Sequence, residues 1–187
     1  MRPVARSSLA GDAVDVAPGL LGLVLESRVG GAVVRGRVAE VEAYREDDPA
    51  SHTFRGETPR NRTMFGMPGH LYVYLSYGVH RCANVVTGSQ GNGAAVLLRA
   101  LLPVAGIELM RERRDGRPDR ELTNGPGKLC RALAIGSDHD GVDLCSSSST
   151  LRLLDDGYEI DGEVRTGPRI GISRAVDRPW RFRLPSD

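Results

Sequence analysis

Apolar and polar positions alternate with a period of two over residues 22–29 and 32–44, which predicts two strands joined by a tight turn at Gly30-Gly31. Similar strand-like runs occupy residues 71–76, 82–87 and 94–100, separated by a turn at Tyr77-Gly78 and by the glycine-rich stretch 88–93. Short strands are predicted at 151–154, 169–173 and 181–184. The pattern changes to helical over residues 8–20, which read as a short amphipathic helix. Thr58-Pro59 offers an N-cap and a proline at the first helical position for a helix running to Phe65, which Pro68-Gly69 ends. Pro103 opens a helix to about Arg114, and Asn124-Gly125-Pro126 introduces another up to Ala134. Residues 45–57 are polar and irregular, and the acidic, serine-rich residues 137–150 read as an exposed loop. No period of about 20–50 residues recurs, which excludes a repeat architecture. The sum is an α+β fold in a single domain spanning 1–187, with a curved, mainly antiparallel β-sheet, flanking helices and a protruding β-hairpin at Tyr77-Gly78.

Length supports that reading, since 187 residues fit one domain able to bury roughly 70% of its unfolded surface. No apolar run approaches the ~18 residues needed to cross a bilayer, and residues 1–10 lack the continuous apolar centre of a secretory leader. A cytoplasmic protein without a membrane role is expected. Cys82, Cys130 and Cys145 are odd in number and lack C-x-x-C spacing, so buried free thiols fit better than disulfides or a cluster. His52, His70, His80 and His139 show no metal-binding spacing either. Neither a metal nor another cofactor is expected.

A net charge of +1 hides segregation. Residues 40–48 hold five acids against one base, and residues 137–161 hold seven against one. Arginines gather elsewhere: Arg55, Arg60 and Arg62, then Arg111, Arg113 and Arg114, then six from Arg165 to Arg183. Such surfaces are usually only solvated, but they can also form one phosphate-binding face.

Candidate chemistry starts at residues 38–44. On a strand Glu40, Glu42 and Tyr44 point one way, while Ala39, Val41 and Ala43 point the other and can face a core. A solvated edge would explain the acids equally well. Residues 72–77 hold three of the five tyrosines. Tyr72 and Tyr74 share a face, and strand aromatics are normally packing residues. Tyr77 differs, because the glycine after it places the ring at a turn, where it is free to insert into something.

Glu-Ala-Tyr at 42–44, Thr-Pro-Arg-Asn-Arg at 58–62, Leu-Tyr-Val-Tyr-x-x-Tyr-Gly at 71–78, Val-Leu-Leu-Arg-Ala at 96–100 and Gly-Pro-x-Lys-Leu-Cys at 125–130 follow in this order. Together they make the chain resemble the alkyladenine (3-methyladenine) DNA glycosylases over nearly its whole length. The resemblance implies a base-excision-repair enzyme that flips alkylated or deaminated purines out of double-stranded DNA and hydrolyses the N-glycosidic bond. The lesions implied are chiefly 3-methyladenine, hypoxanthine and ethenoadenine.

By the same resemblance Glu42 is the carboxylate that activates water, and Arg99 helps hold that water beside Leu97. Tyr44, His52 and Tyr74 stack on the extruded base. Asn84 crowds the 2-amino group of guanine, and Tyr77 is the wedge that enters the gap left in the duplex. The Ile170 carbonyl is a further candidate for the water site, Glu40 partners an arginine, and Arg60, Arg62 and Lys128 are candidates for phosphate contacts. Taken alone, His52 reads as a solvent-exposed loop histidine, Asn84 as a local hydrogen-bonding device, and Arg99 as an ion-pair partner of Glu40 or Glu42.

The sequence departs from the human family member at His80, where that protein has an aromatic, and it does not begin with the basic extension of mammalian members. Lys128 is the only lysine. Strand-cutting glycosylases commonly attack through an amine, and no family nucleophile falls on Lys128, so a monofunctional enzyme that leaves an intact abasic site is expected. A monomer is the default. The competing readings are a damaged-base-binding protein without catalysis, which the retained carboxylate disfavours, and a formyltransferase-like or RNA-binding domain, which Tyr77 and the stacking set disfavour.

Overall fold

The structure is a computed structural model that describes residues 1–185. Its strands are β1 (Arg2–Pro3), β2 (Val24–Ser27), β3 (Val34–Tyr44), β4 (Leu71–Ser76), β5 (His80–Val86), β6 (Ala95–Ala105), β7 (Leu151–Asp155), β8 (Arg165–Gly167) and β9 (Arg181–Arg183). Three α-helices, α1 (Ala13–Leu20), α2 (Ile107–Arg113) and α3 (Pro126–Ala132), accompany them. The strands form one nine-stranded sheet whose main path runs β1-β7-β2-β3-β6-β5-β4, with β9 on β3 and β8 on β9. Every strand pairing is antiparallel, as the α+β reading expects. Among the described residues no helix is long and apolar enough to cross a membrane.

The centre of the sheet is β3. One of its edges pairs along its length with β6, and the other is shared by β2 near the start and β9 near the end. Val34, Gly36 and Val38 are buried on its core side, and Arg35 and Arg37 lie outward. The register with β6 then slips twice, from Val38↔Leu101 to Glu40↔Ala100 and from there to Val41↔Leu98. Ala39 and Arg99 are thus the extra residues of two adjacent β-bulges. A slip of one residue exchanges the two faces of a strand. Beyond it Val41 and Ala43 face the core, and Glu40, Glu42 and Tyr44 face the opposite side. Without the bulge on β3 the two glutamates would have shared a face with Val34 and Val38. Ala39, expected among the core-facing residues, is only half-buried because it is the bulged one.

Helix α1 packs on β3 and β6, and α3 on β5 and β6. Ala13, Val16, Ala17 and Leu20 are its buried stripe, at the spacing of one helical face. These meet Val34, Val38, Val41, Leu71 and Leu98 in the main core. The Asp12 side chain accepts from the Val14 N–H at 2.9 Å and starts the helix there, so the preceding turn at Arg6–Leu9 is a separate 3-10 helix rather than part of one helix over 8–20. A smaller apolar cluster of Met64, Tyr72, Val86 and Ala95, with Tyr74 against it, lies apart from the main one.

Several predicted elements are corrected. Gly30 and Gly31 sit in a 3-10 turn at Val29–Gly31, and Ser27 pairs with Val34, so the β2–β3 connection is longer than a two-residue hairpin. Pro103 continues β6 instead of opening a helix. Its only sheet neighbour there is β3, so its missing N–H breaks no ladder on the other edge, and α2 begins after Gly106, whose φ of 71° a side chain would resist. The helix expected over 58–65 shrinks to a 3-10 turn at Arg62–Phe65, because the Thr58 N–H and hydroxyl both donate to Asn61 Oδ1. Residues 169–173 form no strand, since Pro168 removes a ladder donor and Gly171 takes a φ of 76°. Residues 137–150 are not simply exposed: Leu144 and His139 are buried, and Asp140 accepts from the Val73 N–H at 2.9 Å along the edge of β4.

Candidate active site

Where the face exchange on β3 places Glu42 and Tyr44, a cavity of about 440 Å³ opens. Its volume lies in the range of small-ligand sites. Tyr44 reaches it from the end of β3, Tyr74 from β4, Cys82 and Asn84 from β5, and Leu97 and Arg99 from β6. His52 and Arg60 enter from the irregular 45–62 segment, Ile170 and Ile172 from the loop before β9, and Tyr77 from the β4–β5 turn. These include every residue expected at the base or the water site except Glu42 itself.

Glu42 lies just beneath, with no solvent exposure. Its Oε1 accepts from the Ile170 N–H at 2.7 Å, and its Oε2 accepts from the Tyr44 hydroxyl at 2.9 Å. Arg99 Nη1 approaches Oε2 at 3.4 Å, and Arg99 Nε stands 3.2 Å from Glu40, which Arg181 also approaches at 3.7 Å. A single guanidinium, aimed by its bulge, therefore serves two carboxylates. Burial pushes the Glu42 carboxyl above the usual carboxylate range, and the nearby Glu40 adds to this. Arg99, the Ile170 N–H and the Tyr44 hydroxyl hold it down in part. The Tyr44 phenol is driven far up, by burial first and by the charge of Glu42 second, so it stays a donor. Ile170 meets Glu42 through its N–H.

Three aromatic rings line one wall. His52 and Tyr74 stand edge to face with centroids 4.4 Å apart, and Tyr74 is stacked on Tyr72 at 5.6 Å with a 25° tilt. His52 Nδ1 lies 3.1 Å from the Tyr72 hydroxyl. Burial, then the charge of Arg60, lowers the His52 pKa below the ordinary histidine value, which favours the neutral ring. Burial also raises Tyr72, to about 12. Asn84 is buried and donates from Nδ2 to the Tyr72 carbonyl at 3.1 Å, which fixes its amide toward the cavity wall.

Tyr77 is 91% exposed and holds a φ of 50°, a left-handed conformation rare for an aromatic residue. The predicted phosphate set divides. Arg60 lines the cavity and donates to the Leu75 carbonyl at 3.2 Å. Arg62 does not reach it and pairs with Glu57 at 3.2 Å on the surface. Lys128 faces an adjoining groove of about 790 Å³, which shares Ser76 and Tyr77 with the first and also contains His80 and Arg81. Met64 and Pro126 also line the first cavity; Pro126 falls in the Gly-Pro-x-Lys-Leu-Cys block without having been expected at the site, and Met64 lies in none of the five ordered motifs. Among the described residues no group of three His, Cys, Asp or Glu side chains is placed to hold a metal.

Comparison with known proteins settles the family. Residues 7–187 match the model of the methylpurine-DNA glycosylases. The chain belongs to this family. It is 49% identical over 177 residues to a protein of Burkholderia lata, covering 94% of this chain and 84% of the relative. A protein of Agrobacterium fabrum is 52% identical over 181 residues, covering 97% and 88%, and one of Nitrosospira multiformis is 48% identical over 171 residues, covering 91% and 84%. All three relatives are named as candidate 3-methyladenine DNA glycosylases. The chain is accordingly a DNA glycosylase of base excision repair, a hydrolase whose substrate is DNA.

Proposed function

We propose that this glycosylase extrudes alkylated or deaminated purines, chiefly 3-methyladenine, hypoxanthine and ethenoadenine, into the 440 Å³ cavity and hydrolyses the N-glycosidic bond there. The observation that carries the reading is a buried carboxylate, Glu42, bonded to three groups, Ile170, Tyr44 and Arg99, that line a cavity walled by aromatic rings. Flat purines suit that cavity, because stacking on Tyr44, His52 and Tyr74 contributes about 1–3 kcal/mol per base and tolerates varied substituents. Neutral His52 stacks without adding a charge. The Asn84 amide, held by the Tyr72 carbonyl, crowds a guanine 2-amino group.

Extrusion from a duplex costs a few kcal/mol of stacking and pairing. The exposed Tyr77 ring offsets part of this by filling the gap, and Arg60 and Lys128 hold phosphates on either side. Arg62, paired with Glu57, is the weakest of the phosphate candidates. Arg99 and Ile170 border both the cavity and Glu42, so a water between them would meet the carboxylate and the anomeric carbon. Glu42, ionised, takes its proton as the water attacks C1′, and the base leaves. Lys128, bonded to Asn124 Oδ1 at 2.8 Å and facing the other groove, is not placed to form a Schiff base. The enzyme is monofunctional, acts as a monomer and leaves an abasic site.

An oligonucleotide duplex with one hypoxanthine tests the reading. Release of free hypoxanthine and alkali-labile strands is the expected result. Tight binding to the lesion without release would instead make the protein a damaged-base binder.

A further inference from the structure

Behind the cavity lies an ion pair that the chemistry above does not use. Asp48 and Arg169 are 121 residues apart in sequence, and both side chains are shut off from solvent. The Arg169 guanidinium donates through both terminal nitrogens to Asp48, and Nη1 also donates to the Ala43 carbonyl at 2.9 Å. Its central carbon lies over two rings, 4.6 Å from the Tyr44 centroid and 5.1 Å from that of Trp180. Arg178 comes within 3.7 Å of Asp48. The next residue, Ile170, is the one whose N–H binds Glu42.

Burying two charges carries a large desolvation penalty, so a well-packed apolar pair would hold a loop equally well. A planar fork does something an apolar contact cannot. It fixes direction through several parallel bonds while its face stacks on an aromatic ring. Here one fork ties the end of β3, at Ala43, to the loop that carries Ile170. It also covers one side of the Tyr44 ring, whose hydroxyl is the other donor to Glu42.

We propose that Arg169, locked by Asp48, is a positioning residue for base excision: it holds the Ile170 N–H and the Tyr44 hydroxyl on Glu42, and so sets the carboxylate against the water. This rests on the excision chemistry proposed above.

Arg169→Lys keeps the charge but loses the fork. In single-turnover excision of hypoxanthine its rate is expected to fall about 10–100-fold, the scale on which small misplacements act, with lesion-DNA affinity within about threefold. The acidic limb of its rate–pH profile should move to higher pH, because the Ile170 N–H that favours ionised Glu42 is displaced. Trp180, the single tryptophan, touches the guanidinium, and native emission from it confirms folding. Should Arg169→Lys not fold, Asp48→Asn is read the same way. A folded variant with wild-type rate and profile overturns the proposal while leaving the role of Glu42 intact. A slower variant with an unshifted limb also overturns it, since the pair is then only structural. Absence of excision by the wild type removes the parent reading, and this proposal with it.

Discussion

Replacing Tyr77 with glycine should move stability and activity in opposite directions. The ring is 91% exposed, so its loss removes almost no burial. Its φ of 50° costs a non-glycine residue about 1–2 kcal/mol, which glycine does not incur. Glycine loosens the unfolded chain by about 0.4–1 kcal/mol in return. Tyr77→Gly is therefore expected to unfold between about 0 and 1.5 kcal/mol harder than the wild type, measured in urea. Under the proposed wedge role, excision should need the ring, which would fill the space left by the flipped nucleotide. Stacking of about 1–3 kcal/mol converts, at about 1.4 kcal/mol per tenfold, to a single-turnover rate about 5–150-fold lower on a hypoxanthine duplex. A free hypoxanthine nucleotide in a single strand, with less stacking to break, should narrow that gap. An unchanged duplex rate would remove Tyr77 as the wedge, and a clear loss of stability would show that the ring packs in solution.

Three further outcomes are expected. Glu26 is fully buried beside Arg28, Arg35 and Arg152, and although burial pushes its carboxyl up, the three arginines bring it to about 2 from 4.5. Its contribution is therefore complete above pH 4.5 and fades as the pH falls toward 2; Glu26→Gln should lose about 3–5 kcal/mol in urea at neutral pH and show a flatter pH dependence in that window. Asn84→Ser removes the amide proposed to crowd a 2-amino group, so excision of guanine-derived lesions should rise relative to hypoxanthine, and an unchanged ratio in competition assays would remove Asn84 from discrimination. Borohydride added during turnover should trap no protein–DNA adduct, and a covalent band on a denaturing gel would refute the monofunctional reading.

Much of the site was legible because its residues fall in short ordered motifs. Glu42 and Tyr44, then Tyr74, Asn84 and Arg99, reach one place through four neighbouring antiparallel strands, β3, β6, β5 and β4. What was hidden is the pair of bulges that makes this possible. Neither Ala39 nor Arg99 is a turn residue, yet the core pattern changes phase between Val38 and Val41, and that change is the visible trace of the slip. Pro103 misled because proline opens helices and also sits at free strand edges, and only the neighbouring strand decides between them. The Asp48–Arg169 pair could not be read at all, since no local pattern links charges 121 residues apart. Leu144 was lost in acidic, serine-rich sequence, where one apolar side chain is enough to anchor a strap.

The direct test of the account is Glu42→Gln. Glutamine keeps the shape and an oxygen for the Ile170 N–H but cannot take a proton from water. In single-turnover excision of hypoxanthine from duplex DNA, the variant is expected to fall by about 10²–10⁴ while binding the lesion at least as well as the wild type. Excision within tenfold of the wild-type rate would contradict the assignment of Glu42 as the base that activates water.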